Sequence, residues 1–119
     1  MNYIHFEIFE FDSPDKKGSG SLMNEHFLGM LDDARGIASV PFIITSGYRT
    51  PEHNKAVGGV ENSSHMKGYA ADISVMSGSQ RWAIIDALIK VGFNRIGVGS
   101  NFIHVDNDPS KPENVMWTY

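Results

Sequence analysis

Asp72 constrains this chain more than any other residue. It interrupts the segment Ala70-Ala71-Asp72-Ile73-Ser74-Val75, which otherwise reads as a short buried strand. A carboxylate in such a strand is costly unless it is paired or bound to a metal. The fold therefore has to deliver a partner to this position. The alternative is a strand edge, where the same side chain caps a neighbouring turn.

Two histidines are candidate partners. His65 precedes Asp72 by seven positions in Ser-Ser-His-Met-Lys-Gly-Tyr-Ala-Ala-Asp, and His104 lies in Phe-Ile-His-Val-Asp. The intervening Gly68 lets the chain turn so that His65 and Asp72 meet one ion, a spacing unlike the i, i+4 pair of His-Glu-x-x-His enzymes. On a strand, the period of two places Phe102, His104 and Asp106 on one face. A lone histidine is ordinarily a surface or core residue; the combination with Asp72 singles these two out. Two imidazoles and one carboxylate, with a fourth position left for water, form the ligand set of a catalytic rather than a structural zinc site. The set points toward hydrolysis. Asp106, two positions from His104, is a candidate either to orient that ring or to act as base.

The remaining pattern predicts an α+β fold. Residues 3–9 alternate loosely, with Ile4, Phe6 and Ile8 on one side, as in a strand. From the capping residue Asn24, Phe27, Leu31, Ala34 and Ala38 step at helical spacing. Phe42 to Thr45 reads as a short strand, and Pro51 opens a short helix stopped by Gly58-Gly59. Ser77 and Gln80 form a capping box for a helix carrying Trp82, Ile85, Leu88 and Ile89, with Gly92 as its stop. Strands at Arg95–Val98 and Phe102–Asp106 are close enough to pair as a hairpin. Helices flank the strand-rich segments without alternating regularly, which favours a small, mainly antiparallel sheet with flanking helices. Helices covering one face of that sheet leave the other free for the ligands. Trp117 and Tyr119 either pack the tail onto the domain or wall the groove beside the ligands, and core packing is the expectation for Trp117.

With 119 residues the expectation is a single domain spanning 1–119. The absence of cysteine excludes disulfides and thiolate-metal sites. A net charge of −4 argues against a nucleic-acid binder, which carries a basic face. No stretch approaches the roughly 20 apolar residues of a membrane span. The first residues lack the basic start and apolar run of a secretory signal, so synthesis in the cytoplasm is expected.

Three segments carry a family resemblance: Ser46-Gly47-Tyr48-Arg49-Thr50-Pro51-Glu52-His53-Asn54, Asn62-Ser63-Ser64-His65-Met66-Lys67-Gly68-Tyr69-Ala70-Ala71-Asp72, and Phe102-Ile103-His104-Val105-Asp106. In this order they resemble peptidase family M15, the zinc D-Ala-D-Ala carboxypeptidases, and most closely its short phage and bacterial members. The resemblance is strongest from Ile43 to Asp106. It implies the fold shared by D-Ala-D-Ala peptidases and the hedgehog signalling domain, with zinc held by His65, Asp72 and His104. It also implies that Arg49 reaches a substrate carbonyl or carboxylate, where a fixed guanidinium stabilises developing negative charge.

The implied activity is that of a zinc metallopeptidase acting on peptidoglycan stem peptides. The bond cut is either D-Ala-D-Ala (carboxypeptidase) or an internal bond of the L-Ala-D-Glu type (endolysin-like endopeptidase). Such a protein acts on the cell wall after release or as a virion component, targeted by its own site or by a phage or wall-associated partner. Many members carry Glu or Asp three residues before the last histidine as general base; here that position is Asn101. An amide cannot take a proton from water at neutral pH. Asp106 does this work, or another carboxylate does, or the domain is a non-hydrolytic zinc-binding module of the same fold.

Overall fold

The computed structural model describes residues 3–119. Its centre is a five-stranded sheet of β1 (Ile44–Ser46), β2 (Ala70–Ser74), β3 (Arg95–Val98), β4 (Phe102–Asp106) and β5 (Val115–Thr118), in the order β1-β2-β4-β3-β5. All neighbours are antiparallel except β3 and β5. With helices α1 (Glu25–Ala38), α2 (Pro51–Ala56) and α3 (Gly78–Lys90), this is the expected α+β architecture.

Strand periodicity sorts the side chains. Ala71 faces Val105 and Ile73 faces Ile103 across the β2–β4 ladder, and all four are fully buried. They share one core with Phe27, Leu28, Leu31 and Ala34 of α1 and Ile84, Ala87 and Leu88 of α3. Truncating Ile73 or Ile103 to alanine would cost about 2–5 kcal/mol. The intervening positions project to the opposite face. There Ser46, Asp72, His104, Gly97 and Trp117 are successive cross-strand partners from β1 to β5.

Both long helices begin where the sequence places their caps. The Asn24 side chain accepts the Phe27 N–H at 2.9 Å, and the Ser77 hydroxyl accepts the Gln80 N–H at 3.2 Å. The reciprocal half of the expected capping box is displaced by one residue: Gln80 Oε1 accepts from Met76 N, not Ser77 N. The buried face of α3 also differs from the expected one. Ile84, Ala87 and Leu88 are buried, whereas Trp82 is 75% exposed and Ile89 lies largely outside. Both sets step at helical spacing. The Ile84/Ala87/Leu88 side is the one that packs on the shared core, and Arg81 on the same side donates to the carbonyls of Gly99 and Ser100.

Three further expectations change. Residues 3–9 form no strand; Ile4 is 86% exposed and Ile8–Phe11 is a 3-10 turn. The N–H groups of Ile4 and His5 both donate to the Asp32 carboxylate, which replaces ladder partners, while Tyr3 stacks on Phe6 and Phe6 meets Phe11 edge to face. The first strand starts at Ile44, so Phe42 is a core residue that precedes the ladder. Trp117 does not enter the core. It belongs to β5, an edge strand that the sequence did not suggest, and its ring lies on the ligand-bearing face beside His104.

Candidate metal centre

His65 is placed by a short 3-10 turn, Ser64–Lys67, capped by the Ser63 hydroxyl. Gly68 ends the turn with φ of 78°, a left-handed conformation, and a Cβ there would meet the Leu22 carbonyl. The turn aims the ring so that Nδ1 donates to the Gly47 carbonyl at 2.8 Å. Nε2 is left facing Asp72 Oδ1 at 3.3 Å. Asp72 and His104 are direct partners on β2 and β4, with His104 Nδ1 2.9 Å from Asp72 Oδ1. The other His104 nitrogen, Nε2, bonds Asp106 Oδ2 at 2.7 Å. One donor atom each from His65, Asp72 and His104 lies within 4.8 Å of the others.

This geometry calls for positive charge. A neutral His65 whose Nδ1–H serves Gly47 directs the Nε2 lone pair at a carboxylate. His104, with its Nε2–H given to Asp106, does the same through Nδ1. Lone pairs and carboxylate repel one another unless a proton or a divalent cation lies among them. Burial opposes ionisation of Asp72, yet the hydrogen bonds and charge of His104 and His65 hold its carboxyl well below the usual carboxylate range. Burial also opposes a charged His104, but Asp106 and Asp72 raise its pKa above the ordinary imidazole value. A metal would replace the proton that this arrangement favours. Zinc bonds of about 2.0–2.2 Å in a tetrahedron separate neighbouring donors by roughly 3.3–3.6 Å; His65 lies at 3.3 Å and His104 at 2.9 Å from Asp72 Oδ1, and all three donors lie within 4.8 Å, so a modest opening of the His104–Asp72 pair would admit the ion. Each imidazole also has its second nitrogen tied to a carbonyl or carboxylate, the arrangement that orients metal-binding histidines. The residues fit a zinc ion.

Asp106 is enclosed. It is 1% exposed; Oδ1 accepts from Arg95 Nε at 2.6 Å and from Asp108 N at 3.2 Å, while Oδ2 serves His104. Against the cost of burial, His104 and Arg95 hold its carboxyl below the ordinary value. Arg95 in turn donates to the Pro112 carbonyl and lies 5.2 Å from the Trp117 ring.

Arg49 reaches the same place from the loop before α2. Its backbone N–H donates to His65 O at 3.1 Å, and its guanidinium is held by Ser46 Oγ at 3.0 Å and Asn54 Oδ1 at 3.2 Å. Nη2 stands 3.6 Å from Asp72 Oδ2. Thr50 caps α2 and bonds Asp15, fixing the loop from its other side. The cluster forms part of the lining of a cleft of about 410 Å³, walled by Arg49, Gly58–Val60, Phe102, Lys111, Trp117 and Tyr119. The five residues named from sequence, His65, Asp72, His104, Arg49 and Asp106, all line it. Among the described residues of the lining, Asp72 and Asp106 are the only carboxylates. Asn101 is exposed in the β3–β4 turn and does not line the cleft; its carbonyl accepts from Val75 N.

The sequence reading missed Gly47, Arg95 and Lys111 as parts of this site. Arg95 had a usable signal, since it alternates with Gly97 on β3. Gly47 contributes a backbone carbonyl, and Lys111 lies in the segment between β4 and β5. Of the two places considered for Trp117, the core and the groove wall, the structure shows the wall.

Residues 5–106 match the family described as Peptidase M15. No curated protein matches the chain. The match takes in all three sequence motifs, the whole donor cluster and the Arg49 loop, and on that basis this chain belongs to peptidase family M15, whose members are generally metal-dependent.

Proposed function

We propose that this protein is a zinc metallopeptidase that hydrolyses peptide bonds in peptidoglycan stems, as a D-Ala-D-Ala carboxypeptidase or an L-Ala-D-Glu-type endopeptidase. The observation that carries this reading is the convergence of His65 Nε2, an Asp72 oxygen and His104 Nδ1 beside an open cleft, in a chain of this family. His65, Asp72 and His104 would hold the zinc. When bound, zinc supplies Lewis-acid chemistry, polarising a carbonyl and making water acidic enough to attack near neutral pH.

The chain's own residues do the rest. Arg49, clamped by Ser46 and Asn54, directs a guanidinium into the cleft next to Asp72, where it stabilises negative charge on a substrate carbonyl or binds a substrate carboxylate. Asp106 fixes the tautomer and orientation of His104. Its burial and full set of partners favour this role over that of a base acting on water. The aromatic wall of Phe102, Trp117 and Tyr119 gives the substrate an apolar surface on the β5 side.

Mass spectrometry of muropeptides after digestion, with and without a chelator, tests the proposal. Zinc-dependent release of new amino groups, lost in His104→Ala, is expected; intact muropeptides in every lane would reject it. A second reading, a non-hydrolytic zinc module of the same fold, is favoured by Asn101 and by the lack of a third carboxylate in the described lining. Zinc binding with no cleavage would support that reading.

A further inference from the structure

The cleft is cationic within an acidic chain. Arg49, Arg95 and Lys111 line it against two carboxylates, Asp72 and Asp106, while the chain as a whole carries −4. Two of the three cations already have a part: Arg95 bonds Asp106 at 2.6 Å, and Arg49, held by Ser46 and Asn54 at 3.6 Å from Asp72, is the one assigned above to the substrate group beside the metal cluster. Lys111 differs. Its ammonium donates to Ser64 Oγ at 2.8 Å, and its nearest acid, Asp108, is 3.7 Å away. That acid is already engaged, accepting from Lys67 at 3.2 Å, from Ser64 Oγ at 2.8 Å and from Ser110. One carboxylate thus serves two lysines. Lys67 is the more exposed of them, and Lys111, with its side chain 18% exposed, is the one that lines the cleft. The Ser64 contact fixes the ammonium beside the residue preceding His65. An ammonium carries three donors, and Ser64 takes one.

We propose that Lys111 is a specificity-determining residue, whose ammonium binds a carboxylate of the peptide substrate next to the scissile bond. The inference rests on the peptidase reading above and deepens it. Lys111 lies beyond the residues matched to the family, 5–106. A fixed, partly desolvated ammonium favours a carboxylate over its amide, because the charge-assisted bond exists only for the acid. In a peptidoglycan stem with lysine at its third position the carboxylate has two sources, the C-terminus and the free carboxyl of D-Glu, and such stems are the ones used below.

The test uses the zinc-loaded full chain and three synthetic stem peptides spanning L-Ala-D-Glu to D-Ala-D-Ala. One has both carboxylates free, one a C-terminal amide, and one an amidated D-Glu carboxyl. The wild type should lose about 10-fold or more in kcat/KM on one of the amidated peptides, and which one identifies the source. In Lys111→Met that penalty should shrink to within about 3-fold, through KM more than kcat, with the other penalty unchanged and zinc content retained. Lys111→Gln, which can still donate to Ser64, should behave like Lys111→Met, and Lys111→Arg should restore discrimination. A purely structural role would instead lower kcat on all three peptides alike. Penalties of wild-type size in both Lys111→Met and Lys111→Gln would overturn the inference while leaving the peptidase reading intact. If the wild type cleaves none of the three peptides, both readings fall together.

Discussion

Asp106→Asn separates the two roles considered for this residue. The substitution is isosteric and keeps an acceptor near Arg95, but it removes the charge from a site that is 1% exposed. Arg95 would be left with the Pro112 carbonyl at 2.5 Å and the Trp117 face as its main compensation. Breaking a buried ion pair from one side costs about 3–5 kcal/mol. The retained amide oxygen and these remaining partners place the expected loss near the lower figure, about 3 kcal/mol. For a chain of this length that corresponds to a fall in Tm on the order of 10 °C. His104 would meanwhile lose the anion that orients its ring, so zinc affinity should fall by about 10- to 100-fold. Chemical denaturation of the metal-free protein gives the first quantity, and competition against a chromogenic chelator gives the second. A general base would behave otherwise: turnover would drop while zinc affinity stayed at the wild-type value. That pattern, or a stability change below about 1 kcal/mol, would refute the orienting role.

Arg49→Ala should keep its full zinc content while turnover on stem peptides falls by about 100- to 1000-fold; unchanged turnover would remove Arg49 from the mechanism. Asp108 gives a pH signature. Burial opposes its ionisation, but hydrogen bonds from Ser110, Ser64 and Lys67 outweigh that and hold its carboxyl well below the ordinary value. A depressed folded-state pKa stabilises the fold above the unfolded value, near 3.9, and the benefit is lost as pH falls through the folded value. The stability gap between wild type and Asp108→Asn, about 2 kcal/mol by urea denaturation at pH 7, should therefore stay flat to about pH 5, begin to narrow below about pH 4 and go on narrowing as the pH falls further toward the folded value. A gap as wide at pH 3 as at pH 7 would contradict this assignment.

The parts of the site that follow strand periodicity were legible in the sequence. Asp72 stood out as an acid among Ala70, Ala71 and Ile73, and its cross-strand partner is indeed His104. Asn24, Thr50 and Ser77 cap their helices, as residues of these types do at such positions. Where two faces of one helix were both plausible, as for Trp82 against Ile84 in α3, packing on core residues remote in sequence made the choice, and local spacing could not report it. Residues 3–9 failed for a related reason, since their N–H groups are satisfied by Asp32 of α1 instead of a neighbouring strand. β5 escaped notice because Val115–Thr118 is short, largely exposed and parallel to its partner. With β5 missing, the sequence offers no register that sets Trp117 beside His104.

Because Asp72 and His104 face each other across one ladder that also seats Ile73 and Ile103, a slip of a single residue would turn oil outward and charge inward at once. Correct threading of the sheet and the meeting of Asp72 with His104 are thus the same event, and misthreaded chains are penalised by their own instability. Evolution can hardly drift this pair without dissolving the molecule, but the segments bearing His65, Arg49 and Lys111 lie off the ladder. New diets for this scaffold should arise there.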